Sequence, residues 1–279
     1  MKTRIIIDST ANFKQTLRDM ATVIPLTVRF GEEEYIDGVT ITNEEFYQKL
    51  ESVEQLPTTS QVTPEEFRQV FQEVTDAGDE AVVITVASGL SGTCQSANIA
   101  AMEFDNIYVV DSGNVAVGSG VIVEYAFRLL KEGKSAKEIK EILDAEVGKV
   151  HIIAMVDTLK YLKMGGRISG AVALAGSLLH IKPIVEVYDG AIHQIAKAQG
   201  ARKGNQVLIQ EIQKVGDIDF TKPVLFGHSG QTDEGMKLFL ENTKAFWEGK
   251  DVPDESILMG STIGTHAGPG IVAIGFFTK

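Results

Sequence analysis

The sequence holds a single cysteine, Cys94, so no disulfide can close within the chain and a multi-cysteine metal site is excluded. Positive charge is short: 26 Lys and Arg face 38 Asp and Glu, for a formal net charge of −12. That balance argues against nucleic acid or an anionic membrane surface as a broad electrostatic partner. The five histidines include no pair at the helical spacing of a metal site, so no metal is expected. Long apolar runs are missing as well. The N-terminus, MKTRIIIDST, has three consecutive apolar residues before Asp8, short of a signal peptide's apolar stretch of about 7–15 residues. Two stretches carry no charge. Residues 168–181 are too few to span a bilayer. Residues 257–277 are interrupted by Gly260, Gly264, Gly268, Pro269, Gly270 and Gly275, and read as a turn between strands. The expectation is a soluble protein of the cytoplasm with no transmembrane segment.

What is present is globular in character. The chain has 279 residues, 44% apolar and 23% charged, enough for a large core and, by length, for two domains. Residues 4–8, 23–28, 81–86 and 107–111 read as strands. Two of them, AVVITV and the IIID end of the first, are continuously apolar, as in strands covered on both faces. Helical patterns lie between them. Thr63-Pro64-Glu65-Glu66 is a capping box with Pro at the first helical position and opens a helix to about residue 75. Residues 91–102, 115–130 and 135–147 follow as helices, the last with Ile139, Ile142 and Leu143 on one face. Alternation of strand and helix predicts a mostly parallel, doubly wound α/β sheet in a domain spanning residues 1–148. Residues 149–279 differ. Strands at 151–156, 182–187, 193–198, 223–229 and 271–277 mix with helices near 169–179, 204–215 and 233–247, and Asp189-Gly190 is a hairpin signal. This half reads as a mixed or antiparallel α+β domain.

Four polar segments carry candidate chemistry. Ser88-Gly89-Leu90-Ser91-Gly92-Thr93 follows a strand and leads into a helix, where free N–H groups and hydroxyls suit an anion. The plainer reading is an N-cap, Ser88 or Ser91, holding only its own helix. Pro57-Thr58-Thr59-Ser60-Gln61 offers three hydroxyls and an amide in a loop, for an anion or for the turn itself. Gly264-Thr265-His266-Ala267-Gly268-Pro269-Gly270 sets one histidine where glycine permits close backbone approach. Asp8-Ser9-Thr10 ends the first strand, a common place for ligand contacts in α/β folds.

Several engines are absent. Gly89-Leu90-Ser91-Gly92-Thr93 and Gly227-His228-Ser229-Gly230-Gln231 both miss the nucleophile elbow G-x-S-x-G. No phosphate loop of the G-x-x-x-x-G-K-[ST] kind occurs, and no dinucleotide fingerprint follows a strand. Cys94 falls inside a helix and reads as packing. The residues offer anion-binding hydroxyls without a catalytic engine, and no catalytic residue is assigned.

Taken together the motifs are specific. Ile6-Ile7-Asp8-Ser9, Thr59-Ser60-Gln61, Ser88-Gly89-Leu90-Ser91-Gly92-Thr93, Asp157-Thr158-Leu159-Lys160-Tyr161-Leu162 with Gly165-Gly166-Arg167-Ile168, and Gly264-Thr265-His266-Ala267-Gly268-Pro269-Gly270 occur in that order. The set, which covers essentially the whole chain, resembles the DegV family, the fatty-acid-binding subunits of bacterial fatty acid kinase. The resemblance implies two α/β domains with one fatty acid buried between them. It implies that the acid is presented to a separate ATP-dependent kinase subunit, which forms an acyl phosphate, with no cofactor on this chain. Thr59 and Ser91 would bond the carboxylate and His266 would complete its polar end, with Ser60, Ser88 and Thr93 around them. Arg202, with Arg167, would stand at the pocket mouth, where Arg202 helps the kinase engage. Cys94 replaces an aromatic residue common in relatives, and Val62 replaces a common Pro. The apolar segment 168–179 suits a wall of the acyl tunnel, or an ordinary buried helix. The rival reading is an ester hydrolase using Ser91 and His266. It requires a third, orienting carboxylate, and Asp8 is a candidate from a distance. A small-anion sensor would instead need a compact polar pocket.

Overall fold

The computed structural model describes residues 1–168, 180–188 and 190–279. The helix expected near 169–179, the tunnel wall expected beyond Ile168, and Asp189 of the hairpin signal lie outside the described residues.

The chain opens with β1 (Thr3–Asp8), a short α1 (Gln15–Arg18) and β2 (Thr22–Ile24). Then come β3 (Thr27–Phe30), β4 (Glu33–Ile36), α2 (Asn43–Ser52) and β5 (Thr58–Ser60). Next are α3 (Pro64–Asp76), β6 (Glu80–Thr85), α4 (Thr93–Ala101), β7 (Ile107–Asp111), α5 (Ala116–Lys131) and α6 (Ala136–Glu146). Capping boxes at Thr42/Glu45, Thr63/Glu66 and Ser135/Glu138 start α2, α3 and α6, each satisfying N–H groups the first turn would otherwise leave unpaired.

Strands β2-β1-β6-β7 form a parallel sheet. Its residues alternate between two cores. Ile5, Ile7, Val82 and Ile84 share a cluster with α5 and α6, whereas Ile6, Ala81 and Val83 pack with Phe67, Phe71 and Ala97 of α3 and α4. Both faces are covered, which is why these strands are apolar without interruption. The strand order turns back between β1 and β6. Their carboxyl ends therefore splay into a crevice, the usual ligand position in a doubly wound sheet.

The strand expected over 23–28 is two strands in two sheets. Pro25 lies between β2 and β3, and its missing N–H ends ladder pairing there. β3 instead pairs antiparallel with β4 and with β5, opposing Val28 to Thr59. The Thr58-Thr59-Ser60 segment expected as loop is thus an edge strand of this three-stranded sheet.

After the turn at Val147–Lys149, β8 (Val150–Met155), α7 (Lys160–Met164), β9 (Ile181–Tyr188) and β10 (Ala191–Gln199) follow. The chain ends with α8 (Ala201–Val215), β11 (Leu225–His228), α9 (Glu234–Trp247), β12 (Ile257–Leu258), α10 (Ser261–Ala267) and β13 (Val272–Phe277). The second sheet runs β10-β9-β8-β13-β11-β12, antiparallel except for the β11–β12 pair. The stretch 257–277, expected as a turn between strands, contains α10. Seven residues are too few to show a helical period, and such a helix exists through burial rather than propensity.

α5 lies between the two sheets. Val117, Val121 and Ile122 share one hydrophobic cluster with Ile5 and Ile7 of β1, and with Ile152, Leu225 and Ala273 of the mixed sheet. Gly275 makes this approach possible, because a Cβ there would stand 2.4 Å from the Val117 carbonyl oxygen. All strands of the mixed sheet come from residues after 148, but this core is common to both halves. No helix among the described residues is long and apolar enough to cross a membrane.

Candidate functional site

A cavity of about 180 Å³ opens at the crevice between β1 and β6. Thr10 and Val86 reach it from the strand ends, Leu90, Ser91 and Gly92 from the turn before α4, Thr59 from β5, and Thr262, Ile263 and His266 from α10. Arg167 closes one side. Five segments distant in sequence, at Thr10, Thr59, residues 86–92, Arg167 and residues 262–266, therefore meet at one polar end.

Thr59 Oγ1 and His266 Nε2 are 2.7 Å apart. The second ring nitrogen, Nδ1, has no hydrogen-bond partner, and it is approached so closely by Gly165 that a Cβ there would come within 2.4 Å. Burial, with a smaller push from the Arg167 charge, brings the His266 pKa down to about 4. The imidazole is therefore neutral near pH 7 and presents one N–H. Ser91 Oγ lies 3.0 Å from Thr93 Oγ1 and accepts from the Thr93 N–H at 3.3 Å. Thr93 itself is fully buried behind Ser91 and accepts from the Val62 N–H at 3.4 Å. Gly92 lets the Gln61 amide approach, since a Cβ there would stand 2.1 Å from its oxygen. Arg167 Nε donates to the Leu90 carbonyl at 3.3 Å, which holds the guanidinium over the turn.

Behind this polar end the lining becomes hydrocarbon. A second cavity of about 50 Å³ shares Val115, Leu162, Ile192, Ile263 and Ala267 with the first. It continues between α10 and the mixed sheet, past Ile152 and Ala154 of β8, Val185 and Val187 of β9, and Ala273 of β13. On the other side, a cleft of about 600 Å³ meets the first cavity at Thr59, Arg167 and His266, and is bordered by residues 54–58, Tyr161 and Met164. The polar groups thus stand between an open mouth and an apolar interior.

Of the residues expected in the site, Thr59, Ser91, His266 and Arg167 line this space. Thr93 supports Ser91 from behind. Ser60 and Ser88 are exposed and outside the lining, and the Ser88 N–H donates to the Asp111 carboxylate at 3.2 Å. Arg202, on the first turn of α8, is exposed and lines neither the cavity nor the mouth cleft. The helix after Ser91 begins at Thr93, with Gly92 in the cap position and no side-chain cap. Cys94 packs on α4, and burial raises its thiol pKa.

The hydrolase requirement is not met among the described residues. No carboxylate bonds His266. Asp8 is engaged elsewhere, accepting from Val86 N–H at 2.6 Å and from Thr10 N–H and Oγ1 at 2.9 and 2.6 Å. Nor do the described residues include a cluster of three or more His, Cys, Asp or Glu that could hold a metal. Thr262 and the apolar lining carry no sequence signal of their own, because they sit on a helix that shows no period and on strands whose apolar residues look like any core.

A family model described as "Uncharacterised protein, DegV family" matches residues 2–279. A DegV domain-containing protein of Caldanaerobacter subterraneus subsp. tengcongensis is 34% identical over 261 residues, covering 92% of this chain and 91% of that one. Among solved structures, a DegV family protein from Thermus thermophilus, described for its fatty acid binding, superposes with a TM-score of 0.86 at 29% identity over the whole of both chains. DegV from Bacillus subtilis, described as a fatty acid binding protein, gives a TM-score of 0.83 at 30% identity, again over both full chains. A stearic acid-binding protein from Eubacterium ventriosum gives 0.85 at 27% identity, covering 100% of this chain and 99% of that one.

Proposed function

The chain belongs to the DegV family, and on that premise we propose that it binds a long-chain fatty acid and presents the carboxyl group to a separate ATP-dependent kinase subunit. One observation carries the reading: hydroxyls of Thr59 and Ser91 and the neutral imidazole of His266 stand at the junction of an open cleft and an apolar cavity. A fatty acid has that same division, a charged head and a hydrocarbon tail. Neutral donors hold a carboxylate without a fully buried ion pair, whose desolvation costs can exceed its gain. The tail supplies most of the affinity. At about 0.8 kcal/mol per buried CH₂, a long chain gains on the order of 10 kcal/mol before ordering losses.

The carboxylate end faces the mouth, so a donor phosphoryl group can reach it without the tail leaving the interior. Arg167 at the mouth faces the negative charge of an acyl phosphate, and Arg202 on α8 serves the docking of the kinase. The chain itself performs no catalysis in this reading, and the acyl phosphate enters phospholipid metabolism elsewhere.

The deciding experiment is native mass spectrometry of protein purified from cells, followed by lipid extraction. A bound species of fatty-acid mass, weakened by Thr59→Ala and Ser91→Ala by about 1–3 kcal/mol in palmitate titrations, is expected. Steady turnover of a nitrophenyl ester that disappears in Ser91→Ala would overturn the reading in favour of the hydrolase.

A further inference from the structure

Away from the lining, one buried carboxylate is heavily engaged. Asp37 follows β4 and is 3% exposed. It accepts from Ser9 Oγ at 2.8 Å, from the N–H and hydroxyl of Ser261 at 3.2 and 2.5 Å, and from the N–H and hydroxyl of Thr262 at 3.4 and 2.7 Å. Its own N–H donates to the Leu26 carbonyl at 3.0 Å, and Ser9 Oγ accepts from the Leu26 N–H at 3.0 Å. Five donors from two separate segments satisfy a buried charge that would otherwise be costly.

These bonds join the two elements that make the polar clamp. Thr59 sits on β5, in the same three-stranded sheet that β4 belongs to. His266 sits near the far end of α10, whose first two residues Asp37 holds. At about 1.5 Å of rise per residue, the anchor stands roughly 7–8 Å from the imidazole. Asp37 is not in the cavity lining. α10 is too short to be stable alone. Its flank packs on Phe46 and Tyr47, where a Cβ on Gly264 would come within 2.4 Å of the Phe46 ring. Apolar packing of this kind tolerates sliding along the helix axis, whereas the four directional bonds from Ser261 and Thr262 to Asp37 do not.

We propose that Asp37 is a positioning residue, whose carboxylate fixes α10 against the three-stranded sheet and thereby sets the 2.7 Å contact between Thr59 and His266. The consequence for ligand affinity rests on the fatty-acid reading. The consequence for the clamp geometry does not.

The test uses Asp37→Asn, which keeps the shape and one carbonyl acceptor. Palmitate binding to delipidated protein is titrated in the wild-type and Thr59→Ala backgrounds, and the His266 imidazole is followed by NMR in ligand-free protein. Asp37→Asn is expected to weaken palmitate roughly tenfold in the first background and less than about twofold in the second, the non-additivity of residues acting through one contact. The His266 titration should move up toward that of an ordinary histidine. Equal losses in both backgrounds with an unmoved His266 titration would overturn the proposal and leave Asp37 a fold residue only. If Asp37→Asn does not fold, Ser261→Ala removes one donor outside the lining and enters the same cycle. Wild-type protein that binds no palmitate would sink the fatty-acid reading, and the His266 titration would still decide the role of Asp37.

Discussion

Acidification should destabilise the ligand-free protein through His266 by an amount that its surroundings set. Burial beside Arg167 holds this imidazole at a pKa of about 4, against about 6.5 in the unfolded chain. The folded value lies below the unfolded one, so between them the unfolded state carries the extra proton. Stability is complete above about pH 6.5 and falls as the pH drops toward 4. The two titrations together give a loss of about 2 kcal/mol at about pH 4.5 relative to about pH 7. Other groups also respond. Asp79, held low by the Lys2 N–H and Arg4, adds to the acid loss. Asp8, whose carboxyl burial raises, acts in the opposite direction. The measurement is therefore a difference. Urea unfolding of wild type and His266→Gln is compared at the two pH values, since Gln hydrogen-bonds but does not titrate. Wild type should lose about 2 kcal/mol more than the variant. Parallel losses would refute a buried neutral imidazole. With saturating palmitate the gap should narrow, because an anion beside the ring raises its pKa.

Three further outcomes follow from the site. Gly165→Ala places a Cβ 2.4 Å from His266 Nδ1 and should weaken palmitate about tenfold by forcing the ring off Thr59, as read by isothermal titration. Ala273→Leu adds bulk to the apolar cavity wall and should shorten the longest retained acyl chain by roughly three carbons, as read by the mass of co-purified lipid. Arg202→Ala should leave fatty-acid affinity unchanged while lowering kinase-coupled turnover and its dependence on ionic strength. Loss of palmitate binding with turnover per bound ligand unchanged would place Arg202 in the lipid site instead.

The parallel sheet is legible in the sequence because its strands are apolar on both faces, and α3 announces itself through Thr63, Pro64 and Glu66. The three-stranded sheet is not. β5 is three polar residues long, and its pairing with β3 depends on Pro25 diverting the chain out of the parallel sheet. α2 carries an equally clear capping box at Thr42 and Glu45, whereas α10 offers no periodic signal. The site behaves likewise. Thr59 and His266 are separated by 207 residues, so no local spacing relates them, and their union became visible only through the ordered family motifs. Those motifs also include Ser60, beside Thr59 on β5, and Ser88, in the turn that carries Ser91, both of which are exposed and outside the lining. Asp37 carries no signal at all. A lone Asp before a turn is ordinary, and its five donors come from residues whose partners the sequence does not reveal.

The placement of α5 bears on how the molecule responds to its ligand. With one flank against each sheet, the helix cannot part from either without exposing Val117, Val121 and Ile122 to water, so the two halves have no seam along which to melt separately. Free energy delivered at the cavity is therefore felt throughout the chain. A ligand at a thousand times its Kd contributes about 4 kcal/mol to the folded state, and amides in α6 or β11, far from any contact with it, should become as slow to exchange as those beside His266. Occupancy of the pocket is in this sense a property of the whole protein.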